Sequence, residues 1–445
     1  MPSAPTAAKP TNPEIVIVGA GAAGVGAGLA LTRLGIPFVI LEAKRRVGGR
    51  AFTDTQSIGH PWDQGCFWFH AAEHNPLRMI AKRIGHPFVS KSEDWSAQWF
   101  VEGAPLSASE QDAAGSVFGA ALAAAEAAGQ AGRDISLAEA AGGFAEPYGP
   151  FAKFVFEAIG SGPAEASSAV DAARYDGGTQ DFPVSGGYGR LIERLADGLP
   201  IQLACPVQTI SRLKDGFSVQ TTHGSLRPRA VILTVSNTVL SSGQIKLDPA
   251  LPADLQQALA DLPCGDCEKI GLELTGDALA EFADGKVRAR HGGEIYSLQV
   301  RPFGRPLVIA YAAGENARRI GAMPAPEAGA LLTEILASIY GNGLRSGTGR
   351  ASVSNWSRDP HILGAYSYAK TGRAAARPGL LAADLAPLFL AGEAHLLDWF
   401  STAHGAHVSG VAAAHKAAAF LGRPPITPDP LWLPPALLVP QPLAT

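Results

Sequence analysis

At 445 residues, with 47% hydrophobic residues, the chain is long enough for about two to three domains with sizeable cores. Its formal net charge of −4 gives no electrostatic footprint for nucleic acid or for an anionic membrane surface. Four cysteines are too few for a disulfide scaffold, so a reducing, cytoplasmic setting is expected, and no window reaches the roughly 18 apolar residues that a membrane span needs.

Residues 1–13, "MPSAPTAAKPTNP", have no apolar core of the kind a secretory signal needs and are expected to form a disordered arm. The next thirty residues are the most informative. Glu14 to Val18 form a short apolar run, as a buried parallel strand should. Gly19, Gly21 and Gly24 then supply G-x-G-x-x-G, residues 22–34 read as a helix, and "PFVILE" reads as a second strand closed by Glu42. Gly19 permits the tight turn, Gly21 lets backbone approach a pyrophosphate, and Gly24 lets helix and strand pack closely. The helix N-terminus faces the phosphates, and Glu42 accepts from ribose hydroxyls. A lone G-x-G-x-x-G is weak, but here strand, turn, helix, strand and acid follow in order. The fingerprint alone does not separate NAD from FAD.

"RRVGGR" (45–50) follows the acid, and "DQGCFWFH" (63–70) follows that. Here the chain resembles the flavin-containing amine oxidase family, whose pattern is acid, R-x-G-G-R, then D-x-G-x-x-W. "LFLAGEAHLLDWFSTAHGAHVSGVAAAHKAA", beginning at residue 388, is similar to the family's closing flavin motif, with Gly392 and Glu393 after a strand and Gly405 and Ala406 opening a helix. The resemblance spans roughly residues 14–420 and implies an α/β, two-domain fold. A Rossmann-like FAD-binding domain would be assembled from 14–84, 186–262 and 363–422. An α+β substrate domain with a mixed sheet and helices would come from 85–185 and 263–362, followed by a proline-rich tail at 423–445. The resemblance also implies FAD contacts at Glu42, Ala43, Gly49, Arg50, Trp68 and Trp356, with Val207 at the adenine. Ala365 stands where monoamine oxidases carry a tethering cysteine, so FAD is expected to be non-covalent.

Three segments resemble the polyamine oxidase branch, which includes flavin-type histone demethylases: "WFHAAEHNP", "GAYSYAKTG" and "FSTAHGAHVSG". They place His70 at the branch's active-site histidine and Tyr366 on one wall of the substrate site, with Thr402 where the second aromatic of monoamine oxidases would stand. Two departures are Ala71, where glycine is expected, and Ser236, where proline is frequent. "CGDCEKIGLEL" fits the stretch whose lysine, here Lys269, holds a water against flavin N5.

The implied reaction is hydride transfer from the carbon beside an amine nitrogen to flavin N5, followed by imine hydrolysis and reoxidation by O2 to hydrogen peroxide. A secondary amine or polyamine-like substrate is expected, with a monomer or homodimer as the working unit. A dehydrogenase with a non-oxygen acceptor, a flavin desaturase of a non-amine substrate, and a flavoprotein kept as an interaction module are the rivals.

Two motifs compete locally. "HAAEH" (70–74) matches the H-x-x-E-H zinc pattern, but it follows strand-like "CFWF" and is cut off by Asn75-Pro76, so no metal site is expected. Cys264 and Cys267 form a C-x-x-C with no second pair, and buried packing is expected for all four cysteines. His404 is expected to stabilise its turn. Glu73, Glu93 and Asp94 are read as solvated acids.

Overall fold

The computed structural model describes residues 13–276 and 285–438. Nearly all of the expected N-terminal arm (1–12) and the last part of the tail (439–445) lie outside the described residues.

Among the described residues, five parallel strands form one sheet in the order Leu388–Leu390, Ala230–Leu233, Ile15–Val18, Phe38–Leu41, Ile201–Gln202. Every residue of the three central strands is buried, which is why they read as continuous apolar runs rather than alternating ones. Ile15, Ile17 and Ile40 pack under the helices Ala22–Arg33 and Ala403–Phe420. Val16, Val18, Val39 and Leu41 pack on the opposite side against Ile210, Phe217 and Val219 of a small four-stranded sheet. The two helices lie close because they meet through glycines. A Cβ on Gly26 would stand 2.5 Å from the His407 carbonyl oxygen, and one on Gly410 would stand 1.9 Å from that of Ala23.

A second, mixed sheet has the order Thr348–Val353, Cys267–Leu274, Leu307–Ala313, Glu294–Val300, Gly285–His291, Gln98–Val101, Ala104–Pro105. Its strands alternate strictly. Ile270, Leu272, Leu298, Val308 and Ala310 face the helices Gly314–Ala322 and Ala325–Tyr340. Lys269, Tyr311, Ser297, Gln299 and Arg288 face the other way, into a large cavity. A one-residue slip in register would exchange these faces, so the apolar side fixes where the polar side points. The helices Ala108–Gln130 and Gly149–Gly160 close the cavity's far end.

The proline-rich tail packs against the core under the parallel sheet. Its described part includes a short helical turn, Pro435–Leu438, and buries Leu433 and Leu437 beside Leu77 and Ile80. His407 Nε2 bonds the Pro430 carbonyl at 2.8 Å and anchors it. Two leucines seated in a core cluster outweigh the proline pattern.

Candidate active site

One cavity of about 1220 Å³ runs from the parallel sheet to the mixed sheet. Its lining includes Gly19, Gly21, Glu42, Ala43, Gly49, Arg50 and Val207, and also Gly392, Glu393 and Ala406. Lys269, His70, Tyr366, Thr402, Trp68 and Trp356 line the same space. Gly24 and Gly405 act behind this wall. A Cβ on Gly24 would stand 1.9 Å from the Gly19 carbonyl oxygen, and one on Gly405 2.0 Å from that of Trp399.

The dinucleotide end has the features an anionic cofactor needs. Gly21 caps the first helix with no side-chain hydrogen bond, and a Cβ there would meet nothing nearer than 3.9 Å. The first-turn N–H groups are therefore open to a phosphate. Glu42 accepts from the backbone N–H of Ala20 at 2.7 Å and of Lys44 at 2.8 Å, which aims its carboxylate at the loop mouth. These residues fit FAD, and the same cavity continues from them to Lys269 and Tyr366.

Three successive carbonyls of the "DQG" stretch organise the reacting end. Lys269 Nζ donates to Asp63 O at 3.0 Å and to Gly65 O at 2.5 Å, and Trp356 Nε1 donates to Gln64 O at 3.2 Å. The Asp63 carboxylate turns away and accepts from Tyr188 N at 2.9 Å, at the start of the helix Tyr188–Ala196. Gly65 has no room for a side chain, since a Cβ would stand 1.8 Å from the Arg50 carbonyl oxygen. Lys269 is 5% exposed, and its ammonium lies 4.6 Å from the Tyr311 ring centroid. Burial pulls its pKa down to about 8 against the opposing influence of Asp63, Cys267 and Cys66.

The lysine's own segment is held by pairing with the strip that carries Tyr366. Gly265 N donates to Tyr366 O at 2.9 Å, and Ala365 N donates to Gly265 O at 2.7 Å. The Tyr366 hydroxyl bonds the Ala158 carbonyl, and burial raises its pKa well above the ordinary value. Cys66 and Cys267 line the cavity, and burial pushes both thiols up to about 11, so they stay protonated at neutral pH. Cys264 departs from plain apolar packing, because its Sγ lies 3.8 Å from Arg50 Nη1 and 3.9 Å from Glu393 Oε1.

His70 pairs through Nδ1 with Asp181 Oδ1 at 2.7 Å. The "HAAEH" segment is a turn, so His70 and His74 share no helical face. Ala71 has φ +47°, a left-handed conformation that explains why glycine is expected there. Asn75 ties this turn down. Its side chain caps the helix Pro76–Ile84, donates to His70 O at 2.8 Å and meets His404 Nδ1 at 3.1 Å. His404 is 1% exposed; burial first, then His70 and His407, drive its pKa to about 3, so its ring is neutral. Thr402 caps the last helix by accepting from Gly405 N at 3.0 Å, and its hydroxyl donates to Trp399 O at 2.7 Å. Ser236 likewise caps a helix, Asn237–Ser241, at the position where proline is frequent.

Trp68 lies with Tyr311 and Trp95, at centroid distances of 5.7 and 5.0 Å, and its indole N–H donates to Glu93 at 2.7 Å. Glu93 is not a solvated acid. It pairs with Lys286 at 2.6 Å and is 17% exposed, because the indole and the ammonium enclose it. Tyr311, Asp181, Lys286, Arg288 and the Arg377–Asp171 pair were not evident in the sequence. Alternation within "LVIAYAA" pointed at Tyr311's face, but only the strand register brings it opposite Lys269.

A family model described as "Flavin containing amine oxidoreductase" matches residues 22–418. Polyamine oxidase 3 of Oryza sativa subsp. japonica is 28% identical over 443 residues, covering 92% of this chain and 90% of that protein. Protein FLOWERING LOCUS D of Arabidopsis thaliana is also 28% identical, over 439 residues; it covers 92% of this chain, which spans only 55% of its length. The solved structure of cyclohexylamine oxidase from Brevibacterium oxydans IH-35A superposes with a TM-score of 0.77 at 20% identity, covering 93% of this chain and all of that one, and shows the shared fold.

Proposed function

The chain belongs to the flavin-containing amine oxidoreductases and is an FAD-dependent enzyme, and on that premise we propose that it oxidises an amine at the carbon beside nitrogen with O2 as acceptor. The substrate class is a secondary amine or polyamine-like chain, by likeness to the polyamine oxidase branch. FAD, when bound, would supply the hydride acceptor and the relay of the electron pair to O2, and the overall products would be hydrogen peroxide and an imine that water hydrolyses.

The observation that carries this reading is the buried Lys269 ammonium, fixed on the Asp63 and Gly65 carbonyls in the same cavity as the glycine cradle. There it holds a water and stabilises negative charge that develops beside it. An ammonium cannot release hydride, so the substrate must be neutral at nitrogen. Tyr366, Tyr311 and Trp356 form a desolvating wall that favours the neutral amine. His70, oriented by Asp181, lines the cavity as a base for the proton that leaves. Ala365 stands at the position where monoamine oxidases carry a tethering cysteine, and on that ground the cofactor is read as held without a covalent bond.

The test mixes the yellow holoenzyme anaerobically with mono-, di- and polyamines and follows the visible flavin absorbance. Bleaching is expected, with peroxide released on admitting air. If no amine bleaches the flavin, the function is wrong; bleaching without peroxide under air reassigns the acceptor.

A further inference from the structure

On the mixed sheet one row of directly opposed residues runs Lys269, Tyr311, Ser297, Arg288, Trp99. Opposed residues share a face, and the first four line the cavity. Three strand spacings separate the Lys269 and Arg288 backbones, about 14 Å. The row therefore leads from the reacting end of the cavity to a cation.

Lys269 is held by two backbone carbonyls, and the other charged groups nearby have side-chain partners. Glu393 has Arg50, Asp181 has His70 and the Trp95 indole, Glu93 has Lys286, and Asp171 has Arg377. Arg288 is not matched. Its guanidinium stacks 5.1 Å from the Trp99 ring centroid, and among the described residues no carboxylate or carbonyl accepts from it. Burial alone acts on its pKa, and lowers it, yet a guanidinium stays charged at any physiological pH. Beside it, Gln299 is 5% exposed with its amide oxygen unpartnered, and the Tyr311 hydroxyl is unpartnered as well. Arg288 is half-buried and faces the cavity, so a ligand that brings an anion there supplies the counter-charge that the described residues do not.

We propose that the substrate carries an anionic group, in the simplest case a carboxylate, that binds Arg288 while its amine lies at the Lys269–Tyr366 end. This rests on the amine-oxidation reading and narrows its substrate class to an amine joined to a carboxylate by a spacer of several bonds. An unsubstituted polyamine would instead bring a second ammonium toward Arg288 and Lys286. Specificity then comes from a charge-assisted contact made far from the reacting carbon.

The test compares kcat/KM of the holoenzyme for three matched substrates: an N-methyl ω-amino acid, its neutral methyl amide, and the N-methyl diamine of equal length. The acid is expected to exceed the amide by roughly 10- to 100-fold, with the diamine poorest. Equal values for acid and amide, or preference for the diamine, overturn the proposal. Calorimetric titration with hexanoate, which has no amine to oxidise, gives a second readout. Binding should weaken at least tenfold in Arg288→Met and return in part in Arg288→Lys; equal binding to the Met variant overturns it too. If Arg288→Met fails to fold, the wild-type substrate comparison decides alone. Failure of every amine to bleach the flavin would sink the amine-oxidation reading, while the hexanoate titration would still test Arg288.

Discussion

Arg50 Nη1 and Glu393 Oε1 stand 3.0 Å apart, joining positions separated by 343 residues in the chain. The same Arg50 nitrogen donates to Ala365 O at 2.6 Å, and the other Glu393 oxygen accepts from Ser367 Oγ at 2.7 Å and Ser401 N at 3.1 Å. The first glycine-rich motif, the Tyr366 strip and the closing motif thus share one node in the cavity wall. Burial opposes both charges, yet Arg50 and the hydrogen bonds hold the Glu393 carboxyl below its ordinary pKa, and Glu393 raises that of Arg50.

Breaking this node from one side leaves a buried charge unpaired, at a cost of about 3 kcal/mol. Glu393→Leu should lower the melting temperature of the holoenzyme and weaken FAD retention on a desalting column. Arg50→Met with Glu393→Leu should cost less than the two single changes added together. The carboxyl's folded pKa is depressed, so its stabilisation is present above the ordinary carboxyl range and is lost as pH falls through the lowered value. Strictly additive melting shifts would show that the two residues are not coupled.

Gly410→Ala should destabilise by on the order of 3 kcal/mol although it adds one methyl group. That methyl meets the Ala23 carbonyl oxygen at 1.9 Å, and neither helix backbone can yield locally. Gly422→Ala is not an equivalent control, because Gly422 has φ +73°. Gly379 has open space and serves better. Thermal melts of the two alanine variants check this, and equal, small shifts would mean that the helix contact is looser than the backbone shows.

Two kinds of residue were legible in the sequence: glycines whose job is local, and residues such as Arg50, Glu393 and Tyr366 that lie in segments resembling the family's motifs. Gly19 and Gly24 are dictated by a turn and a close backbone approach, whereas Lys269 was read from the likeness of "CGDCEKIGLEL" to a family motif. Tyr311, Arg288 and Asp181 reach the cavity wall only through register or tertiary pairing. Nothing within ten residues of Arg377 announces its bidentate pairing with Asp171, 206 positions away, at 3.0 and 2.8 Å. The surroundings of the cysteines were hidden for the same reason. In "CGDCEK" the C-x-x-C spacing is incidental, while pairing with residues 365–367 decides that Cys264 meets the Arg50–Glu393 pair and Cys267 lines the cavity.

His86 should make the protein acid-sensitive independently of the cofactor. It is 3% exposed, lies outside the cavity lining, and contacts the Gly187 carbonyl at 3.0 Å through Nε2. Burial lowers its pKa to about 4, against a smaller raising influence from Gly187. The folded form therefore binds fewer protons than the unfolded chain between about pH 6.5 and 4. Stability from this residue is complete above pH 6.5 and falls as pH drops toward 4, by about 2 kcal/mol at pH 5. Denaturant unfolding of wild type and His86→Gln at pH 7.5 and pH 5 measures this. An identical pH dependence in the two proteins would remove His86 as a cause.

Lys269 carries the sharpest prediction. Its ammonium is anchored on two carbonyls and stands over an aromatic ring, with no carboxylate in hydrogen-bond reach among the described residues. Its charge is therefore free to stabilise negative charge developing on oxygen during reoxidation. Lys269→Met should slow the oxidative half-reaction by roughly 10- to 100-fold, the scale of one lost electrostatic stabiliser, and slow flavin reduction by much less. A pKa of about 8 means that the cation gives way to the neutral amine as pH rises from 7 to 9. Wild-type reoxidation should slow across that interval, and reoxidation of the Met variant should be flat. Lys269→Arg, which keeps its charge, should hold a level rate as well, but a higher one. Stopped-flow measurement of both half-reactions separates the outcomes. An unchanged oxidative half-reaction in Lys269→Met, or the same pH slope in variant and wild type, would take the role away from this lysine.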